Sequence, residues 1–231
     1  MNIISLVKRH KNNKKLNRKS AETSNVSENN LDEYELVMLQ GNTTKTFVPV
    51  FEQNQIYYGG NQKWFNKEFY RDRGCGTVAA ANIAWYMSKN ISGCEALYTK
   101  EDISMDNFTE HMNEILTFVK PCLLGVPTVY NLGRGMASYA RSKGVNLKIH
   151  YKPWRMDSSK FVKEGLKLDS PVAMLQYYRK QGFNWHWQTI TKYYKNIKTN
   201  EEYIETSSWS RQYSFNFKPF KGNKFVYFTL C

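Results

Sequence analysis

Apolar positions recur at helical spacing in four stretches between residues 77 and 166 and then change to the shorter period of strands. Ala79, Ala80, Ile83, Ala84 and Met87 make one apolar face, which predicts a helix over 77–88. Phe108, Met112, Ile115, Leu116 and Val119 do the same over 105–119, with Ser104 as cap and Pro121 as stop. A third helix is predicted over 128–142, closed by Gly144, and a short one over 158–166. Strands are predicted over 35–40 and 46–52, with Gly41-Asn42 as turn chemistry between them, and over 146–150. Five more follow at 171–178, 185–194, 203–206, 213–217 and 225–230, while 57–73 reads as loop. A helical half followed by a sheet half is an α+β plan, with no internal repeat.

The 231 residues suffice for one core, and an aromatic content of 15% supplies material to fill it. The net charge of +13 is concentrated at the start, where Lys8, Arg9, Lys11, Lys14, Lys15, Arg18 and Lys19 precede the first acid, Glu22. Residues 1–31 lack apolar periodicity and read as a disordered arm ahead of a domain over 32–231. Such an arm suits nonspecific contact with anionic lipid or nucleic acid. No apolar run approaches the roughly 20 residues of a bilayer helix, and Ile3–Val7 is too short for a secretion signal. Cys75, Cys94, Cys122 and Cys231 show neither CxxC nor disulfide-scaffold density, so a reducing, cytoplasmic setting is expected. HExxH, GxxxxGK and a strand-following GxGxxG are missing, so neither metal nor cofactor is expected.

One constellation carries chemistry. Gly74-Cys75-Gly76 stands at the mouth of the first helix, and Trp185-His186-Trp187 lies in a strand. A thiol attacks as thiolate, and a helix N-terminus stabilises that anion. The flanking glycines leave room for a substrate backbone, and the amide of Gly76 is a candidate oxyanion donor. His186, screened between two tryptophans, suits a base in an ion pair with the thiolate. His10, His111 and His150 fit that role less well.

The next strand ends in Thr206-Ser207-Ser208-Trp209-Ser210. Here the chain resembles the papain-like cysteine peptidase superfamily, in which the histidine strand is followed by one ending in Asn-Ser-Trp-Gly. The resemblance implies a papain-like fold, a helical half carrying the cysteine packed on an antiparallel sheet carrying the histidine. It also implies that Ser207 takes the orienting asparagine position, with Ser208 as second candidate, and that Trp209 shields the imidazole. Gly74-Cys75-Gly76 with its alanine-rich helix, then Gly165 and Pro171-Val172, is closer to the C39-like branch and its bacterial, clostridial-type relatives, across about residues 55–220. Those enzymes carry a glutamine before the nucleophile as oxyanion donor. Gln62 is the candidate here, with Asn61 and Asn66 as alternatives. The resemblance implies hydrolysis of a peptide or protein substrate through a thioester. Amidase or transglutaminase-like acyl transfer and a silent peptide-binding module remain alternatives.

Overall fold

Two helices abut at a single glycine. Helix α1 (Glu68–Arg73) runs into α2 (Cys75–Asn90), and Gly74 between them donates its amide to Tyr70 O at 2.8 Å. The computed structural model describes residues 33–42, 46–177 and 185–231, so the arm expected over 1–31 lies outside the described residues.

Residues Gly76 to Ala84 are all buried, so α2 is a core helix, enclosed on nearly every side instead of on one face. Around it lie α3 (Met105–Leu116) and α4 (Val129–Ser142), capped by Ser104 and Thr128. Strand β4 (Leu147–Tyr151) and helix α5 (Ser158–Lys167) follow. The main sheet is completed by β5 (Val172–Gln176), β6 (His186–Asn196), β7 (Glu202–Ser208), β8 (Arg211–Asn216) and β9 (Lys224–Leu230). Its order is β4-β9-β5-β6-β7-β8, antiparallel throughout, and β1 (Tyr34–Met38) pairs with the second half of β6. A separate hairpin joins β2 (Pro49–Glu52) to β3 (Gln55–Tyr58). The molecule is thus α+β, with the cysteine helix packed on the antiparallel sheet that carries the histidine.

Because side chains alternate along a strand, the sheet has two distinct faces. Trp187 and its partner Leu175 face α2, where Gly76 lies against the Trp187 ring. Val172 and its partner Ile190 face α5, where Gly165 meets Val172 and Tyr227. Among the described residues, no helix is long and apolar enough to cross a membrane.

Two expectations are corrected. The two early strands do not form a hairpin; β1 crosses to β6, and β2 turns back on β3 through Gln53, whose left-handed φ of 51° carries no glycine signal. Residues 57–73 are not all loop. α1 is too short and too exposed to show periodicity, since none of its six residues is buried.

Candidate active site

Cys75 is the first residue of α2, which follows from the two glycines beside it. A Cβ on Gly74 would stand 2.5 Å from Tyr70 O and 2.7 Å from the Phe65 ring. A Cβ on Gly76 would stand 2.7 Å from the Val126 side chain and 3.0 Å from Trp187. The space expected for a substrate backbone is therefore filled by the protein itself: Gly76 lets the start of α2 sit tightly against Val126 and against Trp187 of β6, and Gly74 lets it sit against Tyr70 and Phe65. Gly76→Ala should cost roughly 1–3 kcal/mol through overpacking, checked by chemical denaturation at neutral pH.

Cys75 is half-buried. The surrounding protein raises its thiol pKa above the ordinary value, and backbone amides of Trp187, Gly76 and Cys75 itself pull the other way without overcoming burial. His186, the first residue of β6, is 6% exposed, and burial pushes its imidazole down to about 3. Both shifts favour the uncharged forms. The resting site thus holds a neutral thiol and a neutral imidazole in place of the ion pair expected from sequence.

The imidazole is held on two sides. Its Nε2 lies 2.7 Å from Ser208 Oγ, and the Trp209 ring packs against it at 4.3 Å between centroids. Ser207, expected as its partner, donates its hydroxyl to Tyr58 O at 2.7 Å. Strand alternation explains the difference. Ser207 pairs with Thr189 and shares its face, whereas Ser208 shares a face with Thr206, which bonds Gln188, two residues on from His186. Counting back from the tryptophan selects Ser207; register selects Ser208.

Gln62 is buried in a short turn at Gln62–Trp64, donates Nε2 to Arg71 O at 2.8 Å, and leaves its buried Oε1 without a partner. Asn61 is committed elsewhere, to Trp209 O, Ser210 Oγ and Lys63 N, and Asn66 is exposed. Cys75, His186, Gln62, Ser207, Ser208 and Trp209 all line one small cavity of about 10 Å³, room for about one water-sized group. Asn82 and Thr189 also line it and were not foreseen. Asn82 Oδ1 accepts the Gly60 amide at 2.9 Å and fixes the turn before Gln62. A polar residue among alanines of a core helix was the available signal. Cys75 also lines an open groove of about 310 Å³ with Arg73, Leu124 and Trp185.

The remaining histidines are tied into structure. His111 is buried, contacts Ala81 O at 3.3 Å and is pushed down to about 4, while His150 meets Thr229 Oγ1 at 2.8 Å. Cys122 and Cys231 are exposed, and Cys94 is buried.

No protein-family model matches the chain, and no curated protein matches it. Among solved structures it is similar to UfSP from C. elegans, with 11% sequence identity and a TM-score of 0.47 over 85% of this chain. The chain spans about a third of the length of that solved chain, 34% of it.

Proposed function

We propose that the protein is a thiol-dependent hydrolase of peptide bonds, with Cys75 as nucleophile and His186 as general base and acid. The reading is carried by one observation: a thiol at the N-terminus of a sixteen-residue helix and an imidazole held by Ser208 and Trp209 line the same cavity.

The chemistry starts from the neutral pair. His186 takes the thiol proton as Sγ attacks the substrate carbonyl, so charge is separated only while the new bond forms. The helix N-terminus favours the developing anion on sulfur, and nearby charges of opposite sign attract strongly in a low-dielectric site. Backbone amides at the start of α2 and the second N–H of the Gln62 amide are the donors for the oxyanion. The imidazolium returns its proton to the leaving amine, and a thioester remains on Cys75. Water then gives its proton to His186 as it attacks the thioester; the C–S bond breaks, the acid leaves, and the imidazolium returns that proton to the departing sulfur, restoring the neutral pair. Metal and cofactor have no part in this scheme.

Turnover of peptide amides by the full chain, with a thioester trapped by hydroxylamine, tests the reading. A protein that binds peptides with neither turnover nor adduct is instead a silent binding module, a reading favoured by the neutral resting pair. Transfer of the trapped acyl group to amines in preference to water favours the transferase.

The two serines separate orientation from architecture. Ser208→Ala should lower kcat about tenfold with little change in KM, since it frees the imidazole ring but removes no substrate contact. Ser207→Ala should leave kcat nearly unchanged and cost about 1–3 kcal/mol of stability, because Tyr58 O loses its buried donor. Steady-state kinetics and urea denaturation of both variants decide it.

A further inference from the structure

The groove beside Cys75 is bordered by apolar side chains that the fold leaves open. Cys122 and Gly125 exchange both backbone hydrogen bonds, at 2.8 and 2.9 Å, so Leu123 and Leu124 form the tip of a tight turn. They are 77% and 62% exposed, at positions where polar residues suit a turn better. The tip is not loose. Trp185 Nε1 donates to Leu124 O at 2.7 Å, and Trp187 Nε1 donates to Val126 O at 2.8 Å. A rigidly presented apolar rim next to a thiol marks a binding surface.

From Trp185 the aromatic surface continues. Its ring meets Tyr177 edge-on at 5.0 Å. Tyr177 in turn lines a second pocket of about 210 Å³ with Tyr130, Tyr151, Trp154, Lys152 and Lys224. Tyr130 packs on Tyr151 at 4.7 Å, and the Lys224 ammonium stands over the Trp154 ring at 5.4 Å. Trp154 is 87% exposed. Among the described residues, no carboxylate lines this pocket. Burial and the neighbouring Lys224 charge together lower the Lys152 pKa; Asp157 acts against them, yet its carboxylate caps α5 by accepting the Lys160 amide at 3.0 Å. In the first groove, Asp72 is already paired with Lys63 at 3.2 Å.

We propose that these two pockets form one substrate track, and that the substrate is a peptide with a bulky apolar residue beside the reacting carbonyl and a carboxylate further along. The apolar residue rests on Leu123, Leu124 and Trp185. The intervening peptide runs over Tyr177 and Tyr130, and the carboxylate is received by Lys224 and by the N–H of Lys152 left over from its bonds to Met156 O at 2.6 Å and Pro153 O at 3.3 Å, relieving the repulsion between the two ammonium groups. The proposal rests on the reading of Cys75 as the reacting group, but binding along the track requires no chemistry.

The test is therefore made on Cys75→Ala full-length protein, by fluorescence anisotropy with labelled peptides that all contain one phenylalanine. One peptide carries glutamate and an amidated C-terminus, a second glutamine and a free C-terminus, and a third glutamine and an amidated C-terminus. At least one carboxylate peptide should bind about tenfold tighter than the third, as a charge-assisted contact predicts. Which of the two does so identifies the carboxylate as side chain or terminus. Lys224→Gln and Lys152→Gln/Lys224→Gln should erase that preference, and Tyr130→Ala should weaken all three peptides alike. Equal binding of all three, no binding, or a preference that survives in the double lysine variant would overturn the proposal. So would tighter lysine-dependent binding of a single-stranded oligonucleotide than of any peptide. Carboxylate-dependent binding without turnover in the wild type would leave the track standing and remove the hydrolase.

Discussion

Acidification from pH 7 to 4.5 should strip on the order of 5 kcal/mol from the folding stability. The cause is the burial of two neutral imidazoles, His186 with a pKa near 3 and His111 near 4, against about 6.5 in the unfolded chain. Above pH 6.5 both states are uncharged and the groups contribute no slope. Below it the unfolded chain binds protons that the folded protein cannot, at up to about 1.4 kcal/mol per pH unit for each histidine. The loss stops growing near pH 4 for His111 and near pH 3 for His186. A loss of that size is comparable with the whole stability of a marginal domain, roughly 5–15 kcal/mol. His150, lowered by its own burial, adds in the same direction. The carboxylates held low, among them Asp102 and Asp157, titrate mostly below this window and are not confused with it. Urea denaturation at pH 7, 6, 5 and 4.5 checks the slope, and His111→Gln should remove about half of it. A midpoint that does not move between pH 7 and 5 contradicts the buried neutral histidines.

His186→Ala should lower peptide hydrolysis by roughly 10²–10⁴, the range that a positioned acid–base group supplies. Cys75→Ala should abolish it. The loss in His186→Ala should appear in kcat, because the imidazole transfers protons and carries little of the substrate's binding. Steady-state kinetics on a single peptide substrate separates the outcomes. Full activity in Cys75→Ala assigns the chemistry to another residue.

Much of this architecture was legible in the chain. Long amphipathic patterns over 105–119 and 128–142 located their helices, and Ser104 as the cap of the first, because burial on one face leaves a period that single residues cannot hide; Thr128, read as the first residue of its helix, is the cap of the second. The central strands were legible as short apolar and aromatic runs instead, since β5 is buried on both faces and β6 nearly so, although β6 extends to Asn196, beyond the predicted end. Cys75 and His186 stood out because a helix-mouth thiol and a strand imidazole are chemically distinctive. What failed was whatever depends on register or long-range contact. Ser208 replaced Ser207 because the face of each serine is set by pairing with β6, which no local pattern encodes. The ion pair gave way to neutral groups because its energy depends on how much protein surrounds it, a tertiary quantity. The glycines beside Cys75 were recognised as necessary, but for the wrong reason, since Val126 and Trp187 are remote in sequence from Gly76.

The coupling of Cys75 to His186 is tested most directly by the pH dependence of Cys75 modification by a peptidyl epoxide, from pH 5 to 10, in wild type and in His186→Ala. Peptide mapping confines the rate to Cys75, because Cys122 and Cys231 are exposed and react with small reagents on their own. In the wild type the rate should already be appreciable near neutrality, with His186 removing the proton as the sulfur attacks. In His186→Ala only the raised ionisation of the thiol remains. The rate should then be very low near neutrality and climb about tenfold per pH unit through the alkaline range. Superimposable profiles for the two proteins would mean that Cys75 and His186 share a cavity without sharing a proton.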